Sequence, residues 1–137
     1  MTTPNPSIAG EPSDRRARGK ALLERIDGDA GRRVIDALAD IAPDFADLLF
    51  EFPFGDIYSR PGLGLRDREI ATIAALAALG TAPAQLKVHI EGGLNVGLSQ
   101  DEIVEILMQM AVYAGFPSAL NGLFAAKEVF AMRAGGS

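Results

Sequence analysis

The second half of this chain is almost without charge. Between residues 70 and 100 only Lys87 and Glu91 carry one, and between 103 and 132 only Glu105, Lys127 and Glu128 do. The segments IATIAALAAL and IVEILMQMAVYA are apolar nearly all round rather than along one stripe. A helix of that kind has to be covered on every side. A chain of 137 residues has room for one domain and encloses few positions completely, so a second copy of the chain is expected to supply part of the cover. No period-2 run bounded by turn residues occurs, so strands are not required anywhere. The expected fold class is therefore all-α, a compact helical domain that assembles as a homo-oligomer.

Composition removes several functions. The formal net charge of −5 argues against a nucleic-acid binder, which needs a basic footprint. With no cysteine there is no disulfide framework, thiolate metal site or thiol nucleophile, and a single histidine, His89, leaves no multi-histidine metal centre. The longest apolar run, residues 70–80, is about half of what a membrane span needs. The first twenty residues contain no apolar stretch of the signal-peptide kind. A cytoplasmic protein with no membrane partner is expected. Residues 1–14, rich in Pro, Ser, Thr and Gly, read as a disordered tail, as do 134–137; a single domain fills 15–133.

Helix signals punctuate the rest. Apolar positions at helical spacing mark 16–26 (Ala21, Leu22, Ile26), 31–42 (Val34, Ile35, Leu38, Ile41) and 44–52 (Phe45, Leu48, Leu49, Phe52). A loop rich in Pro and Gly, FGDIYSRPGLGL, follows from Pro53. Further on, Gly80 reads as the residue closing one helix, Pro83 as the first turn of the next, and Gly97 as that helix's end. Ser99-Gln100-Asp101-Glu102 has the form of a capping box, with Leu98 and Ile103 placed as its hydrophobic staple.

Three places offer chemistry. His89 is the one side chain that titrates near neutrality without perturbation; Gly92 and Gly93 lie one turn further on and leave a notch beside it. Two readings stand: glycines that permit close helix packing around a satisfied histidine, or an imidazole open to a ligand for acid–base work. Secondly, Arg66-Asp67-Arg68-Glu69 opens the helix at Ile70. It is either a solvated helix start, or a site in which Glu69, abutting an apolar stretch, is desolvated and suited to proton transfer while Arg60, Arg66 and Arg68 hold an anion by paired hydrogen bonds. Thirdly, Gly115 and Pro117 interrupt an apolar helix in what is expected to be an interior region, with Tyr113 and Asn121 flanking the break. No Walker A loop, GxGxxG or GxSxG is present, so an enzyme here works without metal or bound nucleotide.

Taken together, GDIYSRPGLGLRDREIATIAALAALG and QLKVHIEGGLNVGLSQDEIVEILMQMAVYAGFPSALNGLFAAKEVF resemble the carboxymuconolactone decarboxylase family, over about residues 16–130. The resemblance implies an all-helical oligomer, a trimer or hexamer. A related branch, the alkylhydroperoxidase D-like proteins, carries CxxCxxxH; laid on His89, its cysteines fall at Ala82 and Gln85, so dithiol peroxide reduction is excluded. The acidic residue of that branch's relay falls near Glu69, at a spacing one residue longer. The implied activity is cofactor-free decarboxylation of 4-carboxymuconolactone to 3-oxoadipate enol-lactone in protocatechuate catabolism. A dicarboxylate lactone needs cationic anchors, for which Arg60, Arg66, Arg68 and Lys87 are the candidates, and His89 is the candidate general acid. Tyr113 and Asn121 are secondary pocket candidates. A related lyase or isomerase acting on another small acid or lactone, and a non-catalytic helical oligomer, are the alternatives.

Overall fold

The computed structural model describes residues 12–135, and every regular element among them is helical. None of these helices is long and apolar enough to cross a membrane. The chain divides into two compact units, at Gly62 and Leu63.

The first unit contains α1 (Pro12–Leu38), α2 (Pro43–Leu49) and a π-helix (Phe50–Tyr58). The two helices expected at 16–26 and 31–42 are both present, as the two arms of α1 on either side of a kink at Gly28 (φ 54°, ψ −130°), the second arm ending at Leu38. The first arm begins at Pro12, so Pro12, Ser13 and Asp14, expected in the disordered tail, are helical instead. The rest of that tail, 1–11, lies outside the described residues, as do 136–137, while Ala134 and Gly135 close the last helix.

The loop expected from Pro53 is also helical, as a π-helix up to Tyr58. Proline lacks an N–H and clashes in an ordinary α-turn; the wider π-turn accommodates it. Packing against α1 holds this segment. A Cβ on Gly19 would come within 1.7 Å of the Phe50 carbonyl oxygen, and one on Gly55 within 2.5 Å of the Arg15 carbonyl oxygen, so the two backbones meet where neither carries a side chain. Arg15 then donates from Nε and Nη2 to the two oxygens of Asp56, at 3.0 and 2.6 Å. Arg18 Nε and Ser59 Oγ both donate to the Gly55 carbonyl. Pro and Gly punctuate the sequence here, but tertiary contacts decide the outcome.

The second unit contains α3 (Leu65–Leu79), α4 (Pro83–Asn95), α5 (Gln100–Ala114) and α6 (Phe116–Gly135). Gly80 closes α3 at φ 72°. Ser99 caps α5 as expected: its hydroxyl accepts from Glu102 N at 3.0 Å, and Ser99 N donates to Glu102 Oε1 at 2.9 Å. Leu98 and Ile103, the staple pair, are buried in the same core as Ile73, Leu86, Ile90 and Leu107. Each large aliphatic side chain so enclosed contributes on the order of 1.5–3 kcal/mol of transfer free energy.

Within a single chain the apolar helices are not covered on every side. Leu79, Val112, Tyr113, Phe116 and Leu120 are exposed. The break at Gly115 (φ 94°), expected in an interior region, is flanked by exposed Phe116 and Pro117. Only one side of α5 and α6 can face a four-helix core, so residues opposite it stay uncovered.

Candidate functional site

Glu69, Ile73 and Ala77 follow one another at intervals of four residues on α3, which places them on one helix face. All three are buried, Glu69 completely (0 % exposed). A carboxyl on the core-facing stripe of an apolar helix is costly unless something pairs with it. The partner is His89 on α4: its Nδ1 lies 2.8 Å from Glu69 Oε1. The imidazole sits one residue before Ile90, at the edge of the core-facing stripe of α4, and is 18 % exposed. Glu69 Oε2 is buried with no hydrogen-bond partner among the described residues. The pair thus combines a fully enclosed carboxylate with an imidazole that reaches the surface, an arrangement that orients the ring and is chemically able to support a positive charge on it.

Gly93 does not open a notch beside the histidine. A Cβ there would come within 2.9 Å of Leu98 Cδ1 and 3.0 Å of Ile73 Cδ1, so this glycine lets α4 pack closely on the core. Of the two readings of His89 and its glycines, close packing describes Gly93, while the pairing with Glu69 distinguishes His89.

The cationic candidates are dispersed. Arg66 is engaged with Glu102 at the start of α5 and lies 3.7 Å from Asp67. Arg68 Nε donates to the Leu63 carbonyl at 3.2 Å, which ties it to the segment before its own helix. Arg60 lies in the first unit and is exposed. Lys87 Nζ is 2.5 Å from Glu128 Oε2 on α6. Two residues along a helix is about 200° around its axis, so Lys87 and His89 leave α4 on opposite flanks. Tyr113, for which an apolar setting was expected, is 79 % exposed.

Lys87 and Asn121 do come together, in a groove of about 270 Å³ built from α3, α4 and α6. Leu76, Leu86 and Ala125 are among its apolar walls, and Ser118 and Glu128 join the two predicted residues as its polar members. Neither His89 nor Glu69 lines it. Sequence reasoning missed Ser118 and Glu128; the only available signal was that Lys87 and Glu128 are among the few charges in an apolar half-chain.

The sequence profile of the Carboxymuconolactone decarboxylase family matches residues 43–128. The chain is 36 % identical over 98 residues to a 4-carboxymuconolactone decarboxylase of Acinetobacter baylyi, covering 72 % of each protein. It is 30 % identical over 96 residues to an uncharacterized 15.0 kDa protein of Paracoccus denitrificans, covering 69 % of this chain and 72 % of the relative. A nitrosuccinic acid decarboxylase of Metarhizium robertsii is 29 % identical over 82 residues, which are 60 % of this chain and 57 % of that enzyme. With its profile match spanning more than half the sequence, and with both members of the Glu69–His89 pair inside it, the chain belongs to the carboxymuconolactone decarboxylase family.

Proposed function

We propose that this protein is a carboxy-lyase that decarboxylates 4-carboxymuconolactone to 3-oxoadipate enol-lactone without a cofactor, with His89 as general acid and Glu69 as the residue that positions it. The observation that carries this reading is the hydrogen bond that a buried carboxylate accepts from a part-exposed imidazole. It occurs in a chain similar to a protein named for this reaction.

The chemistry places definite demands on the site. The carbon–carbon bond to the departing carboxylate breaks, carbon dioxide leaves, and the electron pair spreads through the unsaturated lactone onto its carbonyl oxygen. Hydrogen-bond donors aimed at that oxygen lower the barrier. A proton then returns to carbon. With Nδ1 engaged by Glu69, we assign this transfer to the other ring nitrogen, Nε2. Glu69 fixes the ring and stabilises the charge it carries before the transfer. A substrate with two carboxylates also needs a cation; Arg66 and Arg68, in the turn that carries Glu69, are the nearest in sequence, and Arg66 has to exchange Glu102 for substrate.

The test is the ultraviolet absorbance of the unsaturated lactone, followed together with carbon dioxide release. The wild-type chain is expected to turn the lactone over, and His89→Gln to lose about 10²–10⁴-fold in kcat with unchanged helicity. Full turnover by a folded His89→Gln protein overturns the assignment.

A second reading is favoured by the similarity to a nitrosuccinic acid decarboxylase. The same pair serves any small acid whose carboxylate leaves electrons on a neighbouring acceptor group, since the scaffold does not fix the substrate. Turnover of nitrosuccinate in preference to the lactone selects that reading.

A further inference from the structure

We infer that the groove between α3, α4 and α6 is a second binding site, specific for a small zwitterion with an apolar body, of the chemistry of an α-amino acid carrying an aliphatic or aromatic side chain. The inference stands apart from the decarboxylase reading, because the groove is lined by neither His89 nor Glu69 and because Lys87 and His89 occupy opposite flanks of α4.

Its size and lining set the ligand class. At about 270 Å³ the groove falls just below the range typical of drug-sized ligands, which selects a small molecule. The hollow exists because Ala77, Gly80 and Ala125 present little side chain to it, while Leu76 and Leu86 give it apolar walls. A hydrocarbon body is accommodated there.

The polar rim selects the head group. Lys87 Nζ and Glu128 Oε2 face each other at 2.5 Å, with 44 % and 61 % of their side chains exposed. An exposed pair of this kind contributes only about 0–1 kcal/mol, so it opens readily to a competing ligand. A simple carboxylate that approaches Lys87 also approaches the Glu128 carboxylate and is repelled; a simple amine meets the converse problem at Lys87. A zwitterion satisfies both, its carboxylate accepting from Lys87 and its ammonium donating to Glu128. Ser118 and Asn121 add neutral hydrogen-bonding groups to the same groove. The dicarboxylate of the proposed reaction fits poorly, because its second carboxylate has no cation of its own here.

The experiment uses the full chain and calorimetric titration with L-leucine, repeated with 4-methylpentanoate (no amine) and 3-methylbutylamine (no carboxylate). L-Leucine is expected to bind saturably, and each truncated molecule to bind at least about tenfold more weakly, as befits loss of one charge-assisted hydrogen bond. Lys87→Met, at a half-buried position, and Glu128→Gln, at an exposed one, are each expected to weaken L-leucine by a similar factor. Backbone amide shifts on titration are expected at Ser118 and Ala125. Three results overturn the inference: no saturable binding of L-leucine or L-phenylalanine, equal binding of 4-methylpentanoate and L-leucine, or shifts centred on His89 in place of the groove.

Discussion

Glu69 and His89 stand 20 residues apart in the sequence and meet at 2.8 Å between Oε1 and Nδ1. The carboxylate is completely enclosed and the ring is not. Burying a charged group for packing alone is unfavourable, and the contact with Glu69 fixes Nδ1 of the imidazole.

Glu69→Gln tests that relationship directly. The amide keeps the side chain's volume and its ability to hydrogen-bond, but it removes the charge that stabilises a protonated ring. Activity on the lactone is expected to fall by about 10²-fold in kcat with KM little changed, the signature of an interaction that matters in the transition state. Steady-state kinetics beside a thermal melt separates this from unfolding. An equal rise in KM at constant kcat contradicts the positioning role.

Acid should weaken the first unit through Asp56. Its hydrogen bonds from Arg15 hold the carboxyl below the usual carboxylate range. A carboxyl with a depressed value in the folded state contributes stability above its unfolded value, near about 4, and that contribution fades as pH falls through the folded value. The stability difference between wild type and Asp56→Asn, measured by denaturant titration, is therefore expected to shrink below about pH 4. Glu102, held low chiefly by the backbone N–H of Ser99, follows the same sign in the second unit.

Gly93→Ala is expected to destabilise the protein although it adds only a methyl group. The new Cβ would press on Leu98 and Ile73 at 2.9 and 3.0 Å, and both are core residues. Overpacking of this kind costs about 1–3 kcal/mol, read as a lower Tm.

Assembly is the remaining expectation. Val112, Tyr113, Phe116 and Leu120 form an exposed run across the α5–α6 break, and residues 106–126 contain no charge. We propose that further copies of the chain cover them, as a trimer or hexamer. Val112→Asp is expected to shift the sedimentation profile toward smaller species. A monomeric wild-type protein at micromolar concentration contradicts it.

Much of the second unit is legible in the sequence by itself. Gly80, Pro83 and the Ser99–Glu102 box mark helix ends because capping is local: the groups that satisfy a helix terminus lie within a few residues of it. The all-helical class follows from the same periodicities. His89 stands out as the lone histidine, and Glu69 as the acid next to an apolar run. What pattern could not supply is which residues meet. The packing of α3 on α4 brought Glu69 to His89, and the direction of Lys87 around its helix sent it to Glu128 instead. In the first unit, a segment that Pro53 and Gly55 punctuate as a loop became a π-helix, because Gly19 and Gly55 allow two backbones to touch and Arg15 clasps Asp56. Local sequence sets where helices begin and stop; long-range burial and charge pairing decide which of their faces become a site.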